Sequence, residues 1–251
     1  MIEKTLPNTQ RATFSVFTPN PRTKGLLTPN GTGFFISKEG HFITARHVLW
    51  TDSSGRMLHR LGDIRLEKPE GLGATVLELS LLKEWPKQDL VLLKAEFEKN
   101  KEREYFKGKT AFDFIEIDFE VIPEGTEVYS FGYPLPEATV LGGPSVLVGL
   151  LKFYPRTTSA IISSHYDVIG PVQIQTDFPH YYVIDKALNY GNSGGPIVLC
   201  ETGKAIAVCQ RFQPVEIPQQ SSAVSIPSLY GITISLKNIE SDLKELASLG
   251  K

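Results

Sequence analysis

The chain is predicted to be all-β, with a helix at its C-terminal end, and three observations carry that expectation. Seventeen prolines and twenty-one glycines cut the sequence into short apolar runs, a spacing that suits strands joined by turns better than helices. Several of those runs alternate apolar and polar residues, as half-buried strands do. The end of the chain differs: Leu236, Ile239, Leu243 and Leu246 recur at helical spacing and draw one apolar stripe.

In chain order, Thr13–Phe17 alternates and reads as the first strand. Gly33–Ser37 and His41–Thr44 flank a turn at Lys38-Glu39-Gly40 and read as a hairpin. Val76–Leu81 alternates, with Leu77, Leu79 and Leu81 on one face, and Leu90–Leu93 is a short buried run. Lys99–Lys109 is dense in charge and reads as a solvated loop. Pro123-Glu124-Gly125 then opens a second set of strands: Glu127–Phe131, Ser145–Phe153, Tyr181–Ile184, Pro196–Leu199, Lys204–Phe212 and Tyr230–Ser235. Tyr154–Pro179 and Gln213–Ser228, rich in Ser, Pro and Gln, read as long mobile loops. The terminal helix is expected from Leu236 to Leu249.

At 251 residues the chain fits one two-lobed domain or two small ones. The expected division is 1–118 and 119–251. The net charge of -2 comes from interspersed signs. No basic stripe points to nucleic acid and no polybasic segment to a membrane surface. No apolar run approaches the ~20 residues of a membrane-spanning helix. Met1–Ser15 lacks the charged-then-apolar pattern of a secretory signal. The two cysteines, Cys200 and Cys209, flank a turn at Glu201–Lys204. Counting back pairs Cys200 with Ala205 and Cys209 with Pro196, so the thiols fall out of register and no disulfide is expected. A reducing, cytoplasmic location follows as the expectation.

The chemistry concentrates at Gly191-Asn192-Ser193-Gly194-Gly195-Pro196. A serine among small residues is open to substrate, and glycines let backbone N–H groups approach a reacting carbonyl. Gly191-x-Ser193-x-Gly195 also fits the nucleophile elbow of α/β-hydrolases, but that fold places its histidine after the serine. The five histidines, at 41, 47, 59, 165 and 180, all precede Ser193. Chain order alone removes the hydrolase. His47 ends an Ile-Thr-Ala-Arg stretch and is the expected general base; His41, just past the Gly40 turn, is the competitor. Asp89 immediately precedes Leu-Val-Leu-Leu, which puts a carboxylate at the mouth of a buried strand. Asp52 and Asp63 stay open as alternatives, and Asp113, Asp118, Asp167, Asp177 and Asp185 also lie between His47 and Ser193.

Five ordered blocks resemble the trypsin-like serine proteases. Gly31–Ser37 is similar to the strand of the family's first barrel, Ile43–Val48 to its histidine segment, and Asp89–Lys94 to its aspartate segment. Phe131-Gly132-Tyr133-Pro134 resembles the turn opening the second barrel, and Asp185–Ser193 the run into the nucleophile. Asn192, where the digestive enzymes carry Asp, brings the chain nearer to the HtrA-type bacterial branch. No PDZ-like extension is visible, and the blocks cover roughly residues 12–236. The resemblance implies two six-stranded antiparallel β-barrels with a terminal helix, a His47–Asp89–Ser193 triad, and an oxyanion hole from the N–H groups of Gly191 and Ser193. In the HtrA branch the aspartate at position 185 has a structural role.

Resemblance also places the pocket for the substrate side chain along Ala187, Leu188, Tyr190, Val208, Cys209, Gln210 and Arg211. Ala187 sits where cleavage after Lys or Arg would need a carboxylate, so a small or medium aliphatic side chain is expected. Gln210 and Arg211 are expected to pair with the substrate backbone. Tyr190 stands where HtrA-type enzymes carry an arginine relay, and Asn192 cannot receive an N-terminal amine as the digestive enzymes do. The expected function is therefore a serine endopeptidase acting on protein or peptide, activated by a partner or by substrate, with no metal or cofactor. The alternative is a latent or inactive interaction module on the same fold. An ester hydrolase would share the chemistry and differ in its cleft.

Overall fold

The computed structural model describes residues 2–19, 27–49, 65–67, 77–134, 137–141, 148–152, 155–166, 180–218 and 223–249. Two sheets dominate it. The first has six strands: β1 (Thr13–Pro19), β2 (Leu27–Phe35), β3 (His41–Ala45), β4 (Arg65–Glu67), β5 (Leu79–Trp85) and β6 (Leu90–Ala95), in the order β4-β1-β2-β3-β6-β5. The second closes into a barrel from β7 (Glu127–Gly132), β10 (Arg156–Tyr166), β11 (Tyr181–Ile184), β12 (Pro196–Leu199), β13 (Ala205–Pro218) and β14 (Ala223–Ser235). Between β7 and β10, a separate hairpin pairs β8 (Glu137–Leu141) with β9 (Val148–Lys152). The strand expected over Ser145–Phe153 is this β9, outside the barrel. These two packed β-sheets match the expected two-barrel, trypsin-like architecture.

Turn chemistry sets the β2–β3 hairpin. Gly40 lies at φ +91°, and a Cβ there would sit 2.1 Å from the Ala95 carbonyl, so only glycine fits. The β5 strand runs from Leu79 to Trp85 along the edge of the sheet, and Val76, where the strand was expected to begin, lies outside the described residues. Leu77 is buried while Leu81 is exposed, so the expected three-leucine face does not reach the core as a unit.

An apolar core shared by both sheets joins them: Phe34, Ile43, Trp85, Leu90 and Leu92 pack with Ala205, Val208, Ile234 and Leu236. The terminal helix α3 (Glu240–Leu249), entered through a 3-10 turn at Leu236–Ile239, adds Leu243 to this core. Its Asp242 accepts from the Trp85 indole and pairs with Lys83 at 2.8 Å.

An N-terminal helix was not expected. α1 (Ile2–Ala12) carries Pro7 inside it and rests on the second barrel, with Ile2 and Leu6 against Tyr129, Val198 and Cys200. Thr9 Oγ1 and the Tyr129 hydroxyl are 2.9 Å apart, and Asn8 Nδ2 donates to the Phe114 carbonyl at 2.9 Å. Both cysteines are free, as expected. Their strand register differs from the simple count: Val198 faces Ala205, two residues off, and past the bulge between Ile197 and Val198 Pro196 faces Val208, one residue off. Among the described residues, no helix is long and apolar enough to cross a membrane.

The charged stretch Lys99–Lys109 is not a solvated loop. A short helix α2 (Phe97–Asn100) and a 3-10 turn at Glu104–Phe106 turn Tyr105 and Phe106 inward, leaving them 6% and 2% exposed. Phe106 meets Phe112 and Phe97 edge-on at 5.0 and 5.3 Å. The Tyr105 hydroxyl lies 2.9 Å from Asp113, whose carboxyl burial alone would push up but which hydrogen bonds from Lys109 and Tyr105 hold below its ordinary range. Truncating a buried aromatic removes its packing and leaves a cavity. Phe106→Ala is therefore expected to cost roughly 3–5 kcal/mol by urea unfolding. A solvated loop would give a change within about 0.5 kcal/mol.

The long loop expected over Gln213–Ser228 is mostly a continuation of β13 and β14, which pair out to Pro218 and Ala223. Likewise, Arg156–Tyr166 of the expected loop Tyr154–Pro179 is strand β10.

Candidate active site

Each side of the site comes from one sheet. β3 ends at Ala45, and a single 3-10 turn, Arg46–Val48, lifts His47 to the surface. Two ties hold that turn: the Arg46 N–H donates to the Asp89 carbonyl at 2.7 Å, and its guanidinium pairs with Glu84 at 3.1 Å. Asp89 follows another 3-10 turn, Pro86–Gln88, and itself adopts the left-handed conformation at φ 52°. Such a conformation costs a non-glycine residue of order 1 kcal/mol or more and persists where the surroundings enforce it. Here they do. One Asp89 oxygen accepts the His47 backbone N–H at 2.9 Å, and the other lies 2.5 Å from His47 Nδ1.

An ionised carboxylate only accepts, so in the neutral imidazole Nδ1 carries the proton and Nε2 is left with its lone pair. The His47 and Asp89 side chains remain 43% and 35% exposed, open to a substrate at the rim.

Ser193 comes from the second barrel, in the turn before β12, and is locked against β2 of the first sheet. The Thr32 N–H donates to the Ser193 carbonyl at 2.8 Å, and Thr32 Oγ1 donates to the Gly191 carbonyl at 2.6 Å. Gly191 lies at φ +93° and Gly194 at φ +86°. A Cβ on Gly194 would fall 2.1 Å from the Thr32 carbonyl, so the turn cannot accept a side chain there. Among the described residues, the N–H groups of Gly191 and Ser193 have no hydrogen-bond acceptor.

The serine hydroxyl itself donates to the Gln210 carbonyl at 2.9 Å. The expected contact with His47 Nε2 is absent among the described residues, so the structure joins His47 to Asp89 and leaves Ser193 turned to Gln210. Gln210 also spans the cleft, its Nε2 donating to the Asp89 carbonyl at 3.4 Å.

The competing residues that the structure describes are committed elsewhere. His41 Nδ1 lies 2.7 Å from Ser37 Oγ at the far end of β3, and burial, aided by Lys94, holds its pKa down. Asp185 accepts the Ile161 N–H at 2.8 Å, Asp118 that of Glu120 at 3.0 Å, and Asp113 serves the Tyr105 cluster. Asp52, Asp63, Asp167 and Asp177 lie outside the described residues.

Of the expected pocket residues, Val208 belongs to the core shared by the two sheets, and Cys209 to the interior of the second barrel, where burial pushes its thiol up. Leu188 is 4% exposed and packs beside Gly231, where a Cβ would come within 2.6 Å of Leu188 Cγ. Ala187 is half-buried, Gln210 buried, and Tyr190 and Arg211 exposed. Sequence reasoning passed over Thr32 and Gly231. Thr32 had a signal in its two flanking glycines, of which Gly31 lets the Ser193 carbonyl approach its Cα closely.

A family model for the trypsin-like peptidase domain matches residues 31–208. An uncharacterized protein of Sinorhizobium fredii (strain NBRC 101917 / NGR234), y4bJ, is 27% identical over 229 residues, which cover 88% of this chain and 29% of that protein. The "Probable periplasmic serine endoprotease DegP-like" of Rhizobium meliloti (strain 1021) is 28% identical over 179 residues, covering 70% of this chain and 27% of that one. The chain thus spans under a third of the length of these curated relatives. An HtrA-type protease, AlgW, solved with a tripeptide, superposes with a TM-score of 0.59 at 18% identity, over 100% of this chain and 65% of that one. At that identity the likeness is one of fold.

Proposed function

Because the chain belongs to the trypsin-like peptidase domain family, we propose that it is a serine endopeptidase, with Ser193 as nucleophile, His47 as general base and Asp89 as the carboxylate that orients it. The observation that carries this is the two-point grip of Asp89 on the N–H and Nδ1 of His47. That grip fixes the tautomer whose Nε2 can take a proton.

Ser193 Oγ attacks the scissile carbonyl as its proton passes to His47 Nε2, and the N–H groups of Gly191 and Ser193 receive the oxyanion. His47 then returns the proton to the leaving amine, which departs and leaves an acyl-enzyme. Water, deprotonated by the same Nε2, hydrolyses the ester and restores the serine. Protein or peptide is the substrate, and Ala187 with Leu188 favours a small or medium aliphatic side chain before the cleaved bond. The two free cysteines support a reducing compartment, the cytoplasm, as its location.

Before attack the Ser193 hydroxyl must give up its hydrogen bond to the Gln210 carbonyl. That resting contact favours a site completed by substrate or by a partner. If ~1% of molecules are competent at rest, activation is bounded at about 100-fold. Active-site titration with a fluorophosphonate is the test. Slow, partial labelling of wild type is expected, with none in Ser193→Ala and a rise when a substrate-like peptide is bound. Immediate labelling of one site per chain would remove the regulated resting state. No labelling under any condition would leave the latent interaction module, which the Ser193–Gln210 contact also favours.

A further inference from the structure

Thr32 bonds twice to the turn that carries the nucleophile. Its backbone N–H donates to the Ser193 carbonyl at 2.8 Å, and its hydroxyl donates to the Gly191 carbonyl at 2.6 Å. Thr32 is 0% exposed, so no solvent competes for either bond. The direction of the hydroxyl is fixed as well. The Tyr133 N–H donates to Thr32 Oγ1 at 3.1 Å, which leaves the one hydroxyl proton for Gly191. The Thr32 carbonyl in turn accepts from Thr44 Oγ1 at 2.7 Å, which ties the residue to β3.

The two oxyanion donors differ in how they are held. The C=O and N–H of a trans peptide point in opposite directions. The Asn192 carbonyl accepts the Gly195 N–H at 2.8 Å, and that bond aims the Ser193 N–H of the same peptide. The Gly191 N–H depends instead on Gly191 itself, at φ +93°, where no Cβ restricts rotation. What stops that rotation is the next peptide plane, Gly191–Asn192. Its N–H donates to the Asn189 carbonyl at 3.0 Å, a partner in the same loop that can move with it. Its C=O is bound to Thr32, which stands on the first sheet. The Asn192 side chain offers no substitute, because among the described residues its buried Oδ1 has no hydrogen-bond partner.

We propose that Thr32 is a positioning residue for the oxyanion hole, its hydroxyl holding the Gly191–Asn192 peptide so that the Gly191 N–H faces the cleft. This rests on the protease reading. Among the described residues, Thr32 makes no hydrogen bond to His47, Asp89 or the Ser193 hydroxyl, so it acts only through the turn. Without its hydroxyl the Gly191 carbonyl is left buried and unpaired, and the plane turns toward another donor. The Gly191 N–H turns with it, and the tetrahedral intermediate loses one of its two donors.

The test compares Thr32→Val, which keeps the shape and removes the hydroxyl, with Thr32→Ser, which keeps the hydroxyl. Thr32→Val is expected to lower kcat roughly 10²-fold, the loss typical of one oxyanion donor, with KM nearly unchanged. Thr32→Ser should keep most of the wild-type rate. A peptide boronate forms a tetrahedral adduct on Ser193 with an oxygen in the hole. Its affinity should fall across the variants in proportion to kcat/KM, while the unreactive peptide of the same sequence binds unchanged. The pH profile of kcat/KM, set by His47, should not move. A merely structural role would lower the urea midpoint and leave the boronate-to-peptide affinity ratio where it was. Should Thr32→Val fail to fold, Thr32→Ala, which places no methyl against the Gly191 carbonyl, carries the same comparison. A folded Val or Ala variant with wild-type kcat and boronate affinity would overturn the inference, while fluorophosphonate labelling of Ser193 kept the protease reading. A Ser variant as slow as the Val variant would assign the effect to the lost methyl and overturn it too. Absence of labelling and turnover in wild type would remove the protease reading and this inference with it.

Discussion

Ser193→Ala and His47→Ala are each expected to lower kcat by roughly 10⁶-fold, and the double variant should lose no more than either alone. The reason is that in the proposed mechanism the two residues share one proton transfer. Without the hydroxyl there is nothing for Nε2 to deprotonate, and without Nε2 the hydroxyl keeps its proton at neutral pH. Both should leave the fold intact. Ser193 is held through its backbone carbonyl by Thr32, and its side chain only touches the Gln210 carbonyl. His47 is half-exposed and forms no part of either core. The measurement is kcat for a peptide substrate beside urea unfolding of all three variants. Losses that multiply in the double variant would show that the two residues act separately.

The residues of the proposed site stand out in the sequence because each sits in a local pattern. A strand that stops at His47, a carboxylate opening the run Leu90–Leu93 and a serine among glycines each announce themselves within a few residues. What the sequence hid is non-local or contradicts its own composition. Charges at Lys99, Lys101, Glu102, Arg103, Lys107 and Lys109 mask the stretch that buries Tyr105 and Phe106, because among its residues of described burial only these two and Asn100 turn inward. Pro7 argues against a helix, yet α1 forms because Ile2, Leu6 and Thr9 share a face that Tyr129 and Val198 cover. The prolines at 214, 218 and 227 and the neighbouring Gln and Ser residues look like loop. The strands survive there because those prolines fall where no ladder bond is lost. The role of Thr32 depends on a partner more than 150 residues away in the chain, and no spacing rule reveals such a contact.

Asp89→Asn isolates orientation from everything else the aspartate does. Asparagine tolerates the left-handed backbone about as well as aspartate, so the turn at φ 52° should persist. Its amide oxygen can still accept the His47 backbone N–H, the bond that lies at 2.9 Å in the wild-type chain. That choice places the amide nitrogen opposite Nδ1, where the carboxylate oxygen stood at 2.5 Å. A nitrogen that donates to Nδ1 drives the imidazole proton to Nε2, the position that must be vacant to receive the proton of Ser193. Turnover should fall by about 10⁴-fold, while unfolding free energy changes by no more than about 1 kcal/mol. Asp89→Ala differs in kind, because it also leaves a residue that resists φ 52° without a side-chain acceptor to hold the Arg46–Val48 turn. It should lose both stability and activity. Near-normal turnover in Asp89→Asn would transfer the orienting role to another acid, and Asp52 and Asp63 would then be the residues to replace.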